Sequence, residues 1–212
     1  MATSTWSAWD DEVATLVNGA TLPFIRQQVK LAAIDFCKRA WPWVIDQGPI
    51  AIAATQNEYD WEPPANTQIV RVLQAWLDKR PIYPKTRNEL SDLYGDYMRA
   101  DGPTQYFIQD TPNSFILVPR PNSTSSDGVT AKVVIAPKRS ATGLDSKIFD
   151  RYHDEIADGA VARLLLMSKK PWTDMNLGAA MTSKFDDVIT AAKTEITRSF
   201  AGARLRSRAQ FY

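Results

Sequence analysis

The sequence predicts an α+β protein: a helical bundle formed by the N- and C-terminal helices, an inserted β-sandwich or barrel-like domain, and an extended C-terminal tail. Three observations predict it. Apolar residues recur at three- and four-residue steps towards both ends of the chain, which is the helical period. Between those ends the period shortens to two, and turn residues divide the chain into short runs. Ten of the thirteen prolines fall between Pro42 and Pro121, and proline interrupts long helices and central strands alike. The predicted segments are residues 1–40 (N-terminal helices), 41–143 (β-rich insertion), 144–200 (C-terminal helices) and 201–212 (tail).

The first predicted helix carries Trp6, Trp9, Val13 and Leu16 or Val17 on one side, with Asp10, Asp11 and Glu12 opposite. After the Asn18-Gly19 break, Thr21 is placed to cap a second helix and Pro23 falls in its first turn. Ile25, Val29, Ala32, Ala33 and Phe36 form its apolar stripe, while Arg26, Lys30 and Lys38 face outward. The insertion then offers six β-rich runs: Trp43 to Ile45, Ile50 to Ile52, Ile69 to Leu77, Gln105 to Gln109, Ser114 to Val118 and Val129 to Ala136. Turns are predicted at Asp46-Gln47-Gly48, Pro63-Pro64, Asp110 to Asn113 and Pro119 to Gly128. One short helix, Asn88 to Met98, interrupts the strands, with Leu90, Leu93, Tyr94 and Tyr97 at helical steps.

Helix returns near Asp145 or Ser146, either of which can cap a segment running from Lys147 to Met167. Ile148, Tyr152, Ile156, Ala160 and Leu164 recur every fourth residue, and Lys169-Lys170-Pro171 supplies cations in the last turn followed by a stop. A last helix is predicted from Thr173 to Phe200, with Leu177, Met181, Phe185, Val188 or Ile189, Ala192 and Ile196 as its stripe. Trp41 and Trp43 at one junction and Trp172 in a tight turn read as aromatics that lock layers together.

Charge and composition remove several function classes. Lys and Arg total 25 against 24 Asp and Glu, a net charge of +1, so the chain lacks the basic excess of a protein whose work is gripping nucleic acid. Cys37 is the single cysteine, which removes an intrachain disulfide and any cysteine-rich metal site; its apolar helical run predicts a buried, inert thiol. No apolar stretch approaches the roughly 20 residues that span a bilayer. Met1 to Asp11 does not read as a signal peptide, which predicts a protein that folds in a reducing cytoplasm.

Catalytic chemistry finds few handles. His153 is the only histidine, so any Ser-His-Asp or Cys-His device would have to use it. Asp150 and His153 have the spacing of a carboxylate-histidine metal pair but lack a second histidine to complete it, and Asp150, Asp154, Glu155 and Asp158 read as a solvated acidic face. The nine glycines form no phosphate-binding loop. Asp60 and Glu62 beside Trp61 read as a strand-to-loop corner rather than a glycosidase pair. The sequence therefore predicts no enzyme, no catalytic residue, no metal and no cofactor.

The tail is the segment with the clearest functional look. Arg204, Arg206 and Arg208 come with no acid, and the chain ends on Phe211-Tyr212. Forked cationic donors beside terminal aromatics suit docking onto a partner surface. A solvated terminus and a nonspecific DNA contact are the competing readings.

The order of pieces resembles the head-to-tail connector proteins, or adaptors, of tailed bacteriophages, particularly the podovirus type. The resemblance runs through Ala40-Trp41-Pro42-Trp43, Phe115 to Pro121, the strand Ala131 to Pro137, Tyr152 to Leu164 and Lys170-Pro171-Trp172, covering most of residues 20–200. It implies a structural virion subunit, assembled in the host cytoplasm, in a neck ring commonly of twelve copies. Implied partners are the portal protein, other copies of the chain, a downstream tail or nozzle protein, and genomic DNA in transient nonspecific contact; no membrane is implied. The helical parts would line a DNA channel, and Arg204, Arg206, Arg208, Phe211 and Tyr212 would be the portal-binding residues. Rival readings are another neck or tail-completion protein, a carbohydrate-binding or hydrolytic module, and a DNA-binding regulator.

Overall fold

In the computed structural model, which describes residues 2–198, the chain forms two units: residues up to Trp43 with those from Pro137 onward, and Val44–Ala136 between them. The elements in chain order are β1 (Thr3–Thr5), a 3-10 turn (Trp6–Trp9), α1 (Asp10–Leu16), α2 (Leu22–Ala40), β2 (Val44–Ile52), β3 (Glu58–Asp60), β4 (Thr67–Leu77) and β5 (Arg80–Pro84). There follow α3 (Arg87–Tyr94), β6 (Tyr106–Ile108), β7 (Ser114–Val118), β8 (Ser125–Pro137), β9 (Gly143–Asp145), α4 (Ser146–Leu165) and α5 (Met175–Arg198). The class is mixed α+β, with five α-helices among the described residues.

The helical unit packs α2, α4 and α5 around aromatics. Phe36 of α2 lies 4.8 Å from the Tyr152 ring of α4 and 6.2 Å from Phe185 of α5. Ile148, Tyr152, Ile156, Ala160 and Leu164 are all buried, because a four-residue step keeps them on one face. Asp145 caps α4 by accepting from the Lys147 amide at 3.0 Å. On the polar side, Arg39 pairs with Asp186 at 2.7 Å and Arg163 with Asp35 at 3.1 Å, which ties the three helices together.

Several expectations need correction here. The first region is not helical throughout: it opens with β1, which pairs antiparallel with β9 in the register Thr3↔Asp145 to Thr5↔Gly143. Thr21 does not cap α2 with its side chain; its carbonyl accepts from the Phe24 and Ile25 amides, both at 3.0 Å. On α5, Leu177 is exposed and Gly178 is buried in its place, because Leu165 and Leu166 pass so close that a Cβ at 178 would meet them at 2.9–3.2 Å. Two of the tryptophans bridge elements of this unit: Lys193 Nζ lies 4.2 Å from the Trp41 ring centre, and Trp172 packs 6.2 Å from Phe24.

The second unit is a seven-stranded, nearly closed, barrel-like sheet in the order β2-β8-β4-β5-β6-β7-β3. Val129, Ala131, Val133 and Ile135 of β8 are buried, as the two-residue period requires. Asp46-Gln47-Gly48 is not a turn but part of β2, which runs on through a register shift between Gln47 and Ile50. Two glycines permit this. Gly48 adopts φ +105, and a Cβ on Gly128 would stand 1.9 Å from the Ile50 carbonyl oxygen. The Pro119 to Gly128 turn is likewise shorter than expected, since β8 begins at Ser125. The short helix ends at Tyr94, not Met98. The sequence expectation lacked β5, whose Arg-Pro-Ile-Tyr-Pro run reads as loop; Asp78 and Lys79 turn β4 into it with positive φ at both positions.

Candidate interaction surfaces

His153 lies among groups that come from distant parts of the chain. Its Nδ1 stands 3.0 Å from Glu12 Oε2 of α1 and 3.1 Å from Asp154 Oδ1. The imidazole stacks on Trp9 with ring centres 5.2 Å apart and planes 9° off parallel, while Trp9 Nε1 donates to the His153 carbonyl at 2.9 Å. Burial pushes the Glu12 carboxyl above its ordinary value; Asp154 and Asp158 push the same way, against His153. Two oxygen donors thus stand beside the lone histidine where spacing had offered Asp150, and the three donor atoms lie within 4.8 Å of one another. The arrangement is that of a hydrogen-bonded pair clasping α1 to α4. Asp158 is not simply solvated either, since it pairs with Lys184 of α5 at 2.7 Å.

A groove of about 400 Å³ runs between the 3-10 turn, α2 and the residues just after β8. Trp6, Pro23 and Leu31 give it an apolar floor, and Arg26, Lys30 and Arg139 line it with positive charge. Trp6 is fixed by donating its Nε1 proton to the Ala141 carbonyl at 2.8 Å. Arg26 is neutralised by Asp10, whose two oxygens accept from its Nε at 3.0 and 2.9 Å. Lys30 Nζ donates only to the Arg139 carbonyl, at 3.0 Å. Among the described residues neither Lys30 nor Arg139 has a carboxylate partner.

In the barrel-like unit β3 is the last strand of the sheet order and, among the described residues, pairs with β7 alone, from Glu58↔Ile116 to Asp60↔Ser114. Its alternation continues through Glu62. Tyr59 and Trp61 are buried, stacked on Phe115 at 5.7 and 4.0 Å, and Glu58, Asp60 and Glu62 are exposed. The Asp60-Trp61-Glu62 corner is thus found where the sequence placed it. None of the three carboxylates has a cationic partner among the described residues. The unit as a whole holds eleven Asp and Glu against eight Lys and Arg. In contrast, two charges of α3 are matched locally: Arg87 grips Asp110 through Nε at 3.0 and 3.1 Å, and Lys85 reaches Glu89 at 2.9 Å.

Arg204, Arg206, Arg208, Phe211 and Tyr212 lie outside the described residues. Sequence reading had placed Lys30 only on an outward helix face and had passed over Arg139 and Glu58, because each is an ordinary surface charge until the fold places it beside its neighbours. Cys37 is fully buried. Among the described residues no helix is long and apolar enough to cross a membrane.

A family model described as SU10 adaptor protein matches residues 4–208, nearly the whole chain. The chain belongs to that family, which agrees with the resemblance to phage head-to-tail adaptors; membership of a structural adaptor family implies a non-enzymatic protein. No curated protein matches it.

Proposed function

We propose that the chain is a subunit of the head-to-tail adaptor ring of a tailed phage, joining the portal to the tail and lining the DNA channel. The observation that carries this reading is the family match over residues 4–208, which takes in Arg204, Arg206 and Arg208 of the tail. Copies associate side by side in a ring of about twelve through head-to-tail contacts, which close when the rotation between neighbours allows. The cationic, aromatic-ended tail from Ala201 to Tyr212 docks on the portal, and a downstream tail or nozzle protein meets the assembly on its other side. A near-neutral chain suits a channel through which DNA slides, since many phosphate contacts would hold the duplex in place. The protein is a virion neck component assembled in the host cytoplasm.

Removing residues 201–212 tests the portal contact. The truncated chain should keep its far-ultraviolet circular dichroism and its melting temperature while co-sedimentation with portal particles is lost. Undiminished co-sedimentation would overturn the assignment of the tail.

A further inference from the structure

We propose that neighbouring copies are joined by the acidic edge of β3 on one copy seated in the cationic groove of the helical unit of the next. This rests on the reading that copies assemble side by side. It adds which two surfaces meet.

Two observations support the match. First, each surface carries uncompensated charge of the opposite sign: Glu58, Asp60 and Glu62 on one, Lys30 and Arg139 on the other, with no ionic partner among the described residues. Charged groups left without counter-ions on a shaped surface steer association towards the complementary surface. Second, β3 is an edge. Its carboxylates project from a rigid backing, because Tyr59 and Trp61 are buried against Phe115, so the acidic row holds its line without a partner. Exposed charge also prevents two β3 edges from pairing with each other. A cationic groove is the surface that such a row fits.

The two patches differ, and each copy carries both. The contact is therefore heterologous and passes from copy to copy, which is the geometry that a ring requires.

A charge-swap experiment on the full chain tests this, alone and with portal particles, by sedimentation velocity and native mass spectrometry at low salt. One variant carries K30E and R139E; the other carries E58K, D60K and E62K. Every changed position is at the surface, and circular dichroism checks that both variants fold. Each variant alone should associate at least about tenfold more weakly than the parent chain, because like charges now face each other. Mixed in equal amounts they should recover, since each reversed surface then finds its opposite on the other variant, and the recovered assemblies should hold even numbers of copies. Unimpaired assembly of either variant alone, or no recovery on mixing, would overturn the proposal. So would a third result: the groove variant assembles normally while a chain lacking residues 199–212 does not. That outcome would make the arginine tail the occupant of the acidic edge. If the parent chain stays monomeric both alone and with portal particles, it is the ring reading of the function that falls.

Discussion

Gly159 sits where α4 passes the Phe185 ring of α5, and a Cβ there would stand 2.6 Å from Phe185 Cε2. Phe185 is itself buried, so the ring has little room to give. Gly159→Ala should therefore lower unfolding free energy by about 1–3 kcal/mol, the usual cost of overpacking, as read from urea denaturation. An unchanged midpoint would mean that the two helices can separate cheaply. Cys37 makes the opposite kind of statement. Burial pushes its thiol up to about 12, so at pH 8 it is protonated as well as shielded. The native chain should release no thionitrobenzoate from Ellman's reagent, and one equivalent once unfolded. His153 shows what a residue-level reading misses. Its partner Glu12 is remote in sequence, and no local spacing could join them; only the packing of α1 on α4 does so.

At the scale of elements, α3 shows how a short exposed helix is held. Thr86 and Glu89 form a capping box: the Glu89 amide donates to Thr86 Oγ1 at 3.3 Å, and the Thr86 amide donates to Glu89 Oε2 at 2.8 Å. The bond from the Thr86 amide, with those from Lys85 and the Thr86 hydroxyl, lowers the Glu89 carboxyl from its ordinary 4.5 to about 2. The folded value lies below the unfolded one, so the carboxylate's contribution is complete above about pH 4.5 and fades as pH falls towards 2. Thermal melts of the parent chain and Glu89→Gln should differ at pH 6 and converge near pH 2; a constant gap would refute the assignment. Elements with a strong period were legible in the sequence. The four-residue step of α4 and the alternation of β8 survive in the fold because burial on one face is what produces them. Elements set by other forces were not. β3 is too short to show a period, β5 is disguised by two prolines, and the run of β2 through Gly48 depends on its close approach to Gly128 on β8.

At the scale of the whole chain, the candidate surfaces were less legible than the elements. The sequence directed attention to the arginine tail, an unusual local composition, because composition is visible without a fold. The groove needs Trp6, α2 and Arg139 together, and Arg139 comes from beyond the inserted unit. The acidic row was half visible, as Asp60 and Glu62 flanking a tryptophan, but its standing as an edge follows from sheet order alone. Such surfaces emerge when separate stretches of sequence converge, and a single chain without its fold gives no measure of that convergence.

The pairing of β1 with β9 has a consequence for biosynthesis. The helical unit is encoded in two instalments, with the whole of Val44–Ala136 translated between them. Its opening instalment leaves the ribosome with a naked oily stripe on α2 and must wait for α4 to cover it. A message cut short within the insertion thus yields fragments without β9, α4 and α5, in which that stripe stays uncovered.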